Sequence, residues 1–114
     1  MESILTSIKK LLGIAEEYTH FDQDIIMHIN SALFTLTQLG VGPSAGFSID
    51  DADDRWLDFV DVSRVEAVKT YVHLNVRLVF DPPASSAVID AMERRLKELE
   101  WRLNVAVDPA ETSN

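Results

Sequence analysis

Apolar positions recur at helical spacing in several stretches of this chain, and helix-breaking residues separate them. Ile4, Leu5, Ile8, Leu11 and Leu12 share one face of a short first helix over 3–12, with Lys9 and Lys10 near its end and Gly13 as a stop. A second helix is expected from Asp22, whose side chain suits a free helix start, with Ile25, Ile29, Ala32, Leu33, Leu36 and Leu39 on one stripe. Gly40 fits the left-handed residue beyond its end, and Val41 is then placed to pack back on Leu36 in a Schellman arrangement. The run Gly40-Val41-Gly42-Pro43-Ser44-Ala45-Gly46 forbids regular structure and predicts an exposed loop reaching Asp51.

From Asp50 to Val60 acidic residues alternate with Trp56, Leu57, Phe59 and Val60, which reads as a third helix with an acidic first turn. Ser63-Arg64-Val65-Glu66 has the form of a reciprocal capping box opening a fourth helix. Behind it Val65, Val68, Val72, Val76 and Val79 form one stripe, and Tyr71, Leu74 and Leu78 add a second apolar side, which suits a central position in a bundle. The many β-branched residues leave a strand over Thr70–Phe80 as the alternative, but spacing and capping favour helix. Asp81-Pro82-Pro83 ends this helix, because each proline fixes its own φ and pushes the preceding residue toward extended geometry. A last helix from Ser85 or Ser86 carries Val88, Ile89, Met92, Leu96, Leu99 and Leu103. On its other face lie the acid-before-base pairs Asp90/Arg94, Glu93/Lys97 and Glu98/Arg102. Past Val107 the polar, proline-containing end breaks the pattern. The fold expected is an all-α bundle of four to five helices, its two long C-terminal helices hinged at Asp81-Pro82-Pro83. A single domain over 1–103 is followed by a flexible tail over 104–114.

The chain has 114 residues, enough for one core, and 46% hydrophobic with 25% charged residues is ordinary globular usage. Ten Lys+Arg stand against nineteen Asp+Glu, a net charge of −9 that argues against a phosphate-gripping surface. The basic cluster Arg94, Arg95 and Lys97 is interleaved with Glu93, Glu98 and Glu100 and reads as a solvated helix face. With no cysteine, disulfides, thiolate nucleophiles and Cys-rich zinc sites are excluded. No signal-peptide pattern or membrane-length apolar run is present, so a soluble intracellular chain is expected.

Candidate chemistry is sparse. Asp50, Asp51, Asp53, Asp54, Asp58 and Asp61 suggest hard-cation ligation, yet a calcium loop counted from Asp50 puts Arg55 where the turn glycine belongs and Asp61 where a bidentate Glu belongs. His20, His28 and His73 fall in no metal-binding or catalytic spacing. Neither a phosphate loop, a nucleophile elbow nor a dinucleotide fingerprint occurs. The expectation is no catalytic residue, no metal and no cofactor. Trp56 and Trp101 either fill the core or anchor an interface.

Three segments, His28–Pro43, Val68–Pro83 and Ala91–Asn104, in this order and spacing resemble the head-tail connector (adaptor) proteins of long-tailed bacteriophages and prophages. The resemblance spans nearly the whole chain. It implies a structural, non-enzymatic protein that forms a ring of about twelve subunits under the portal vertex of the DNA-filled head. Such a ring joins the portal protein to a stopper, head-completion or tail protein while DNA passes through its centre without sequence-specific binding. It implies a virion location at the head–tail interface after assembly in the host bacterial cytoplasm, with no membrane partner. By resemblance the portal-binding tail maps to Asn104, Val105, Ala106, Val107, Asp108 and Pro109. The loop facing the next ring maps to Gly40–Asp51, and Gly42, Pro43, Phe47, Trp56 and Trp101 are the candidate next-ring or subunit contacts. The alternative from another class is a small acidic helical regulator, a DNA mimic or antitoxin-like binder of a basic protein.

Overall fold

The computed structural model describes the backbone of residues 2–112 and the side chains of residues 2–105. Five helices follow one another: α1 (Ile4–Leu11), α2 (Asp22–Gln38), α3 (Trp56–Phe59), α4 (Val65–Phe80) and α5 (Ser86–Thr112). The architecture is a small all-α bundle, and β pairing among the described residues is an isolated bridge between Ser3 and Arg55. α4 touches all four other helices, the central position that its two apolar sides predict.

Local chemistry sets the helix ends. The Ser3 hydroxyl accepts the Thr6 amide at 3.2 Å and starts α1. The Ile14 amide reaches back to the Lys9 carbonyl (2.9 Å) and the Gly13 amide to Lys10 (3.1 Å), closing α1 in a Schellman motif. The expected motif at the end of α2 is present in the same form, with Val41 N–H on the Leu36 carbonyl (2.9 Å) and Gly40 N–H on Thr37 (3.0 Å). Gly40 has φ 88°, and both Val41 and Leu36 are fully buried.

Four sequence expectations need correction. Asp22 is not the N-cap of α2: Phe21 holds that position with no side-chain cap, and the Asp22 carboxylate faces Lys9 instead. The helix expected over 50–60 contracts to the single turn of α3, because Asp54 accepts the Asp50 amide (2.9 Å) and Asp51 accepts the Asp53 amide (2.8 Å), which holds the chain in turns. The capping box at Ser63 does not form; Arg64 is the N-cap of α4 without a side-chain cap bond. The Asp61 carboxylate accepts both the Ser63 amide and the Ser63 hydroxyl, and so takes the amide that Glu66 would accept in the box. Finally, the backbone of α5 continues to Thr112 where a break after Val107 was expected. A proline inside a helix removes one backbone rung, and a long helix already propagated can carry that loss.

The α4–α5 connection lies where Asp81-Pro82-Pro83 predicts it, with Asp81 as the C-cap of α4 and the Ser85 carbonyl accepting the Ile89 amide of α5 at 3.1 Å. Leu96, Leu99 and Leu103 are buried against the body, whereas Val88 in the first turn of α5 is 46% exposed. Each buried leucine contributes roughly 1.5–3 kcal/mol, so the C-terminal half of the described α5 side chains provides its attachment. Two polar ties add to it. The Tyr71 hydroxyl of α4 donates to Glu100 at 2.7 Å, and Asn104 Nδ2 donates to the Leu39 carbonyl at the end of α2 at 3.0 Å.

Candidate interaction surface

Four of the carboxylates that could suggest metal chemistry, those of Asp51, Asp54, Asp58 and Asp61, are engaged in holding the fold. Asp58 accepts the Arg55 amide (3.0 Å) and Asp61 the Ser63 amide (3.1 Å), so the acidic stretch acts as a series of turn and helix-start acceptors. Among the described residues no group of His, Asp or Glu side chains is arranged to hold a metal ion. His20 packs edge-on against Phe21 at 4.8 Å between ring centroids, in an aromatic chain that runs on to Phe80. His73 is half-buried in α4, and desolvation, reinforced by the Arg77 charge, pushes its pKa below the usual histidine range.

Buried ionic chemistry does occur at Lys9. Its side chain is 3% exposed, and the ammonium donates to the Glu16 (2.9 Å) and Tyr18 (2.8 Å) carbonyls and pairs with Asp22 at 2.8 Å. Two hydrogen bonds to backbone carbonyls and one ion pair tie the 13–21 connection to the ends of α1 and α2. At the surface, Lys69 bonds Glu2 at 2.7 Å; that bond lowers the Glu2 pKa and raises that of Lys69. It anchors the N-terminal segment to α4.

Exposed apolar side chains outline a candidate contact surface. Trp101 is 67% exposed on α5, two residues from the buried Leu99 and Leu103 and thus on the opposite side of that helix. Trp56 is 1% exposed, and its indole N–H donates to the Ser7 hydroxyl at 3.0 Å. It is a core residue and offers no surface to a neighbour, because α3 turns it beneath α1. Phe47 is half-buried, its ring 5.4 Å from that of Phe59. Pro43 is exposed, and Gly42, at φ 89°, lies so close to Phe59 that a Cβ there would overlap the ring. The Gly40–Asp51 loop is therefore fastened at its ends rather than free. Val41 and Ile49 are buried, and the Asn30 side chain both accepts the Ile49 amide (2.7 Å) and donates to its carbonyl (3.0 Å).

In the expected tail, Asn104 belongs to the body through its bond to Leu39, and Val105 is 37% exposed. The side chains of Ala106, Val107, Asp108 and Pro109 lie outside the described residues. Sequence reasoning missed the outer face of α2, where Met27 is 57% and Phe34 62% exposed beside Gln23, Asn30, Ser31 and Thr35. A signal for it was present: from Ile25 to Ile49 the chain contains no Asp, Glu, Lys or Arg. Charge depletion combined with exposed aromatic and Met side chains is the compositional mark of an interface core.

These features describe a small helical bundle with exposed apolar side chains on α2 and α5. It belongs to the phage connector protein family, whose model matches residues 4–110. No curated protein and no solved structure matches the chain. Membership makes it a structural connector of a phage particle, acting against other head or tail proteins. Among the described residues no helix is long and apolar enough to cross a membrane.

Proposed function

We propose that the protein is a head–tail adaptor that assembles as a ring of about twelve copies beneath the portal vertex and surrounds the DNA channel. The family match over residues 4–110 carries this reading, and the exposed Met27, Phe34 and Trp101 supply the kind of contacts a ring needs. The ring joins the portal protein above to a stopper, head-completion or tail protein below, within the virion, after assembly in the host bacterial cytoplasm. It is neither an enzyme nor a cofactor carrier. The C-terminal end beyond Asn104 reaches the portal, and the Gly40–Asp51 loop, presented on a fixed base by Asn30, faces the next ring. Nineteen acidic against ten basic residues favour a channel wall that repels phosphates and leaves DNA free to move without sequence-specific binding.

The test is to mix the purified protein with the portal ring of the same phage and follow the complex by native mass spectrometry or electron microscopy. A closed ring with about one copy per portal subunit is expected. Absence of binding across salt concentrations would overturn the adaptor assignment. The net charge of −9 would then favour the acidic regulator, marked by salt-sensitive binding to a cationic protein without ring formation.

A further inference from the structure

The outer face of α2 does not stop at the helix edge. Ser31 and Thr35 line both the α2 surface around Met27 and Phe34 and the cleft between α2 and α4. Asn75 and Val79 line both that cleft and the groove between α4 and α5. One continuous surface therefore crosses three helices, with Met27, Phe34 and Val79 each more than half exposed on it. Its α2 portion carries no formal charge after Asp24, and acidic residues border it. Asp24 lies at one end, and the turn Asp50–Asp54, which begins at the Ile49 backbone held by Asn30, lies beside it.

Trp101 sits in the opposite electrostatic setting. Helical spacing puts Arg94 and Lys97 on its side of α5, seven and four residues before it, and the acid beside them, Glu98, pairs with Arg95 and Arg102, so this face is locally positive in a chain of net charge −9. Val105, one turn on from Trp101, extends its apolar patch along α5. Because Phe34 and Trp101 are both more than 60% exposed, neither covers the other within one chain.

We infer that in the ring Trp101 of one copy inserts into the uncharged α2 face, around Met27 and Phe34, of the next copy, with its basic flank against that copy's acidic border. Identical chains of charge −9 repel, and this arrangement is one in which they meet through an apolar, charge-depleted centre with opposite signs at the rim. Two different patches on each subunit make the contact heterologous, the type that closes a ring, whereas α2 paired with α2 would stop at a dimer. The contact rests on the adaptor reading above.

Because the chain has no cysteine, thiol cross-linking can report this contact directly. Ser31→Cys and Val105→Cys, each alone and then together in one chain, are oxidised with and without the portal ring and resolved by denaturing electrophoresis. Circular dichroism checks that each variant is folded. A ladder extending to the closed ring in the doubly substituted chain, with each single variant remaining monomeric, is expected. Trp101→Ala is expected to weaken side-to-side association by about 30-fold, the usual effect of losing a central tryptophan. Disulfide dimers of Ser31→Cys alone would overturn the proposal in favour of a symmetric α2–α2 contact. A ring on the portal without a ladder would overturn the contact while leaving the adaptor reading intact, and no ring at all would overturn both.

Discussion

Replacing Lys9 by Met tests the buried ionic clasp that holds the 13–21 connection. Met retains most of the aliphatic stem, so the change removes the ammonium while largely preserving volume. The Glu16 and Tyr18 carbonyls lose their donor, and the Asp22 carboxylate, 21% exposed, loses its counter-charge. Deleting one partner of a buried pair costs about 3–5 kcal/mol, and the partial exposure of Asp22 places this case near ~3 kcal/mol. In a domain with ~5–15 kcal/mol of total stability this is a large fraction, and it corresponds to a fall in Tm of about 10–20 °C. Lys69→Met is the matched control. Its ion pair with Glu2 is 18% and 50% exposed at the two side chains, and such surface pairs contribute less than ~1 kcal/mol. Urea denaturation followed by circular dichroism gives both values. The reasoning fails if Lys9→Met loses no more stability than Lys69→Met.

Three further outcomes follow from the geometry. Desolvation, together with the bond to Glu100, raises the Tyr71 pKa well above its ordinary value of 10, so its contribution is complete below pH 10 and is lost as pH rises past that value. Tyr71→Phe should cost ~1–2 kcal/mol at neutral pH and flatten the alkaline decline, and an unchanged decline above pH 10 would refute the link. Gly42→Ala combines a left-handed backbone with overlap on the Phe59 ring and should cost roughly 2–5 kcal/mol, whereas Gly46→Ala, with open space around it, should lose only ~1–2 kcal/mol; equal thermal shifts for the two would contradict the close approach. Truncation after Leu103 removes Asn104 and its bond to Leu39, so it should cost about 1 kcal/mol more than truncation after Asn104, while both weaken portal binding. A melted fold, or unchanged portal affinity in a pull-down, would refute the assignment of the C-terminal end.

The two Schellman closures show how much of the fold is local. Gly13 and Gly40 end their helices because glycine accepts the left-handed conformation that the motif needs, and that preference resides in the residue itself. The apolar stripes of α2 and α4, the break at Asp81-Pro82-Pro83 and the attachment of α5 through Leu96, Leu99 and Leu103 are legible for the same reason: helical periodicity places these residues on one face before any partner is known.

Tertiary structure decided which competing partner each polar group would take. Asp22 could cap α2 or pair with Lys9, and only the approach of α1 puts the ammonium 2.8 Å away. Ser63 is the local exception: it could form a capping box with Glu66 or bond Asp61, and the turn two residues long before α4 selects Asp61. The two tryptophans, equivalent as sequence, separate only when α3 folds Trp56 against Ser7 and leaves Trp101 on the far side of α5. Burial depends on packing among segments distant in the chain, so no local pattern could assign it. The charge-free stretch from Ile25 to Ile49 was visible from the start, but its place as part of a continuous surface over α2, α4 and α5 emerged only when those helices were brought side by side.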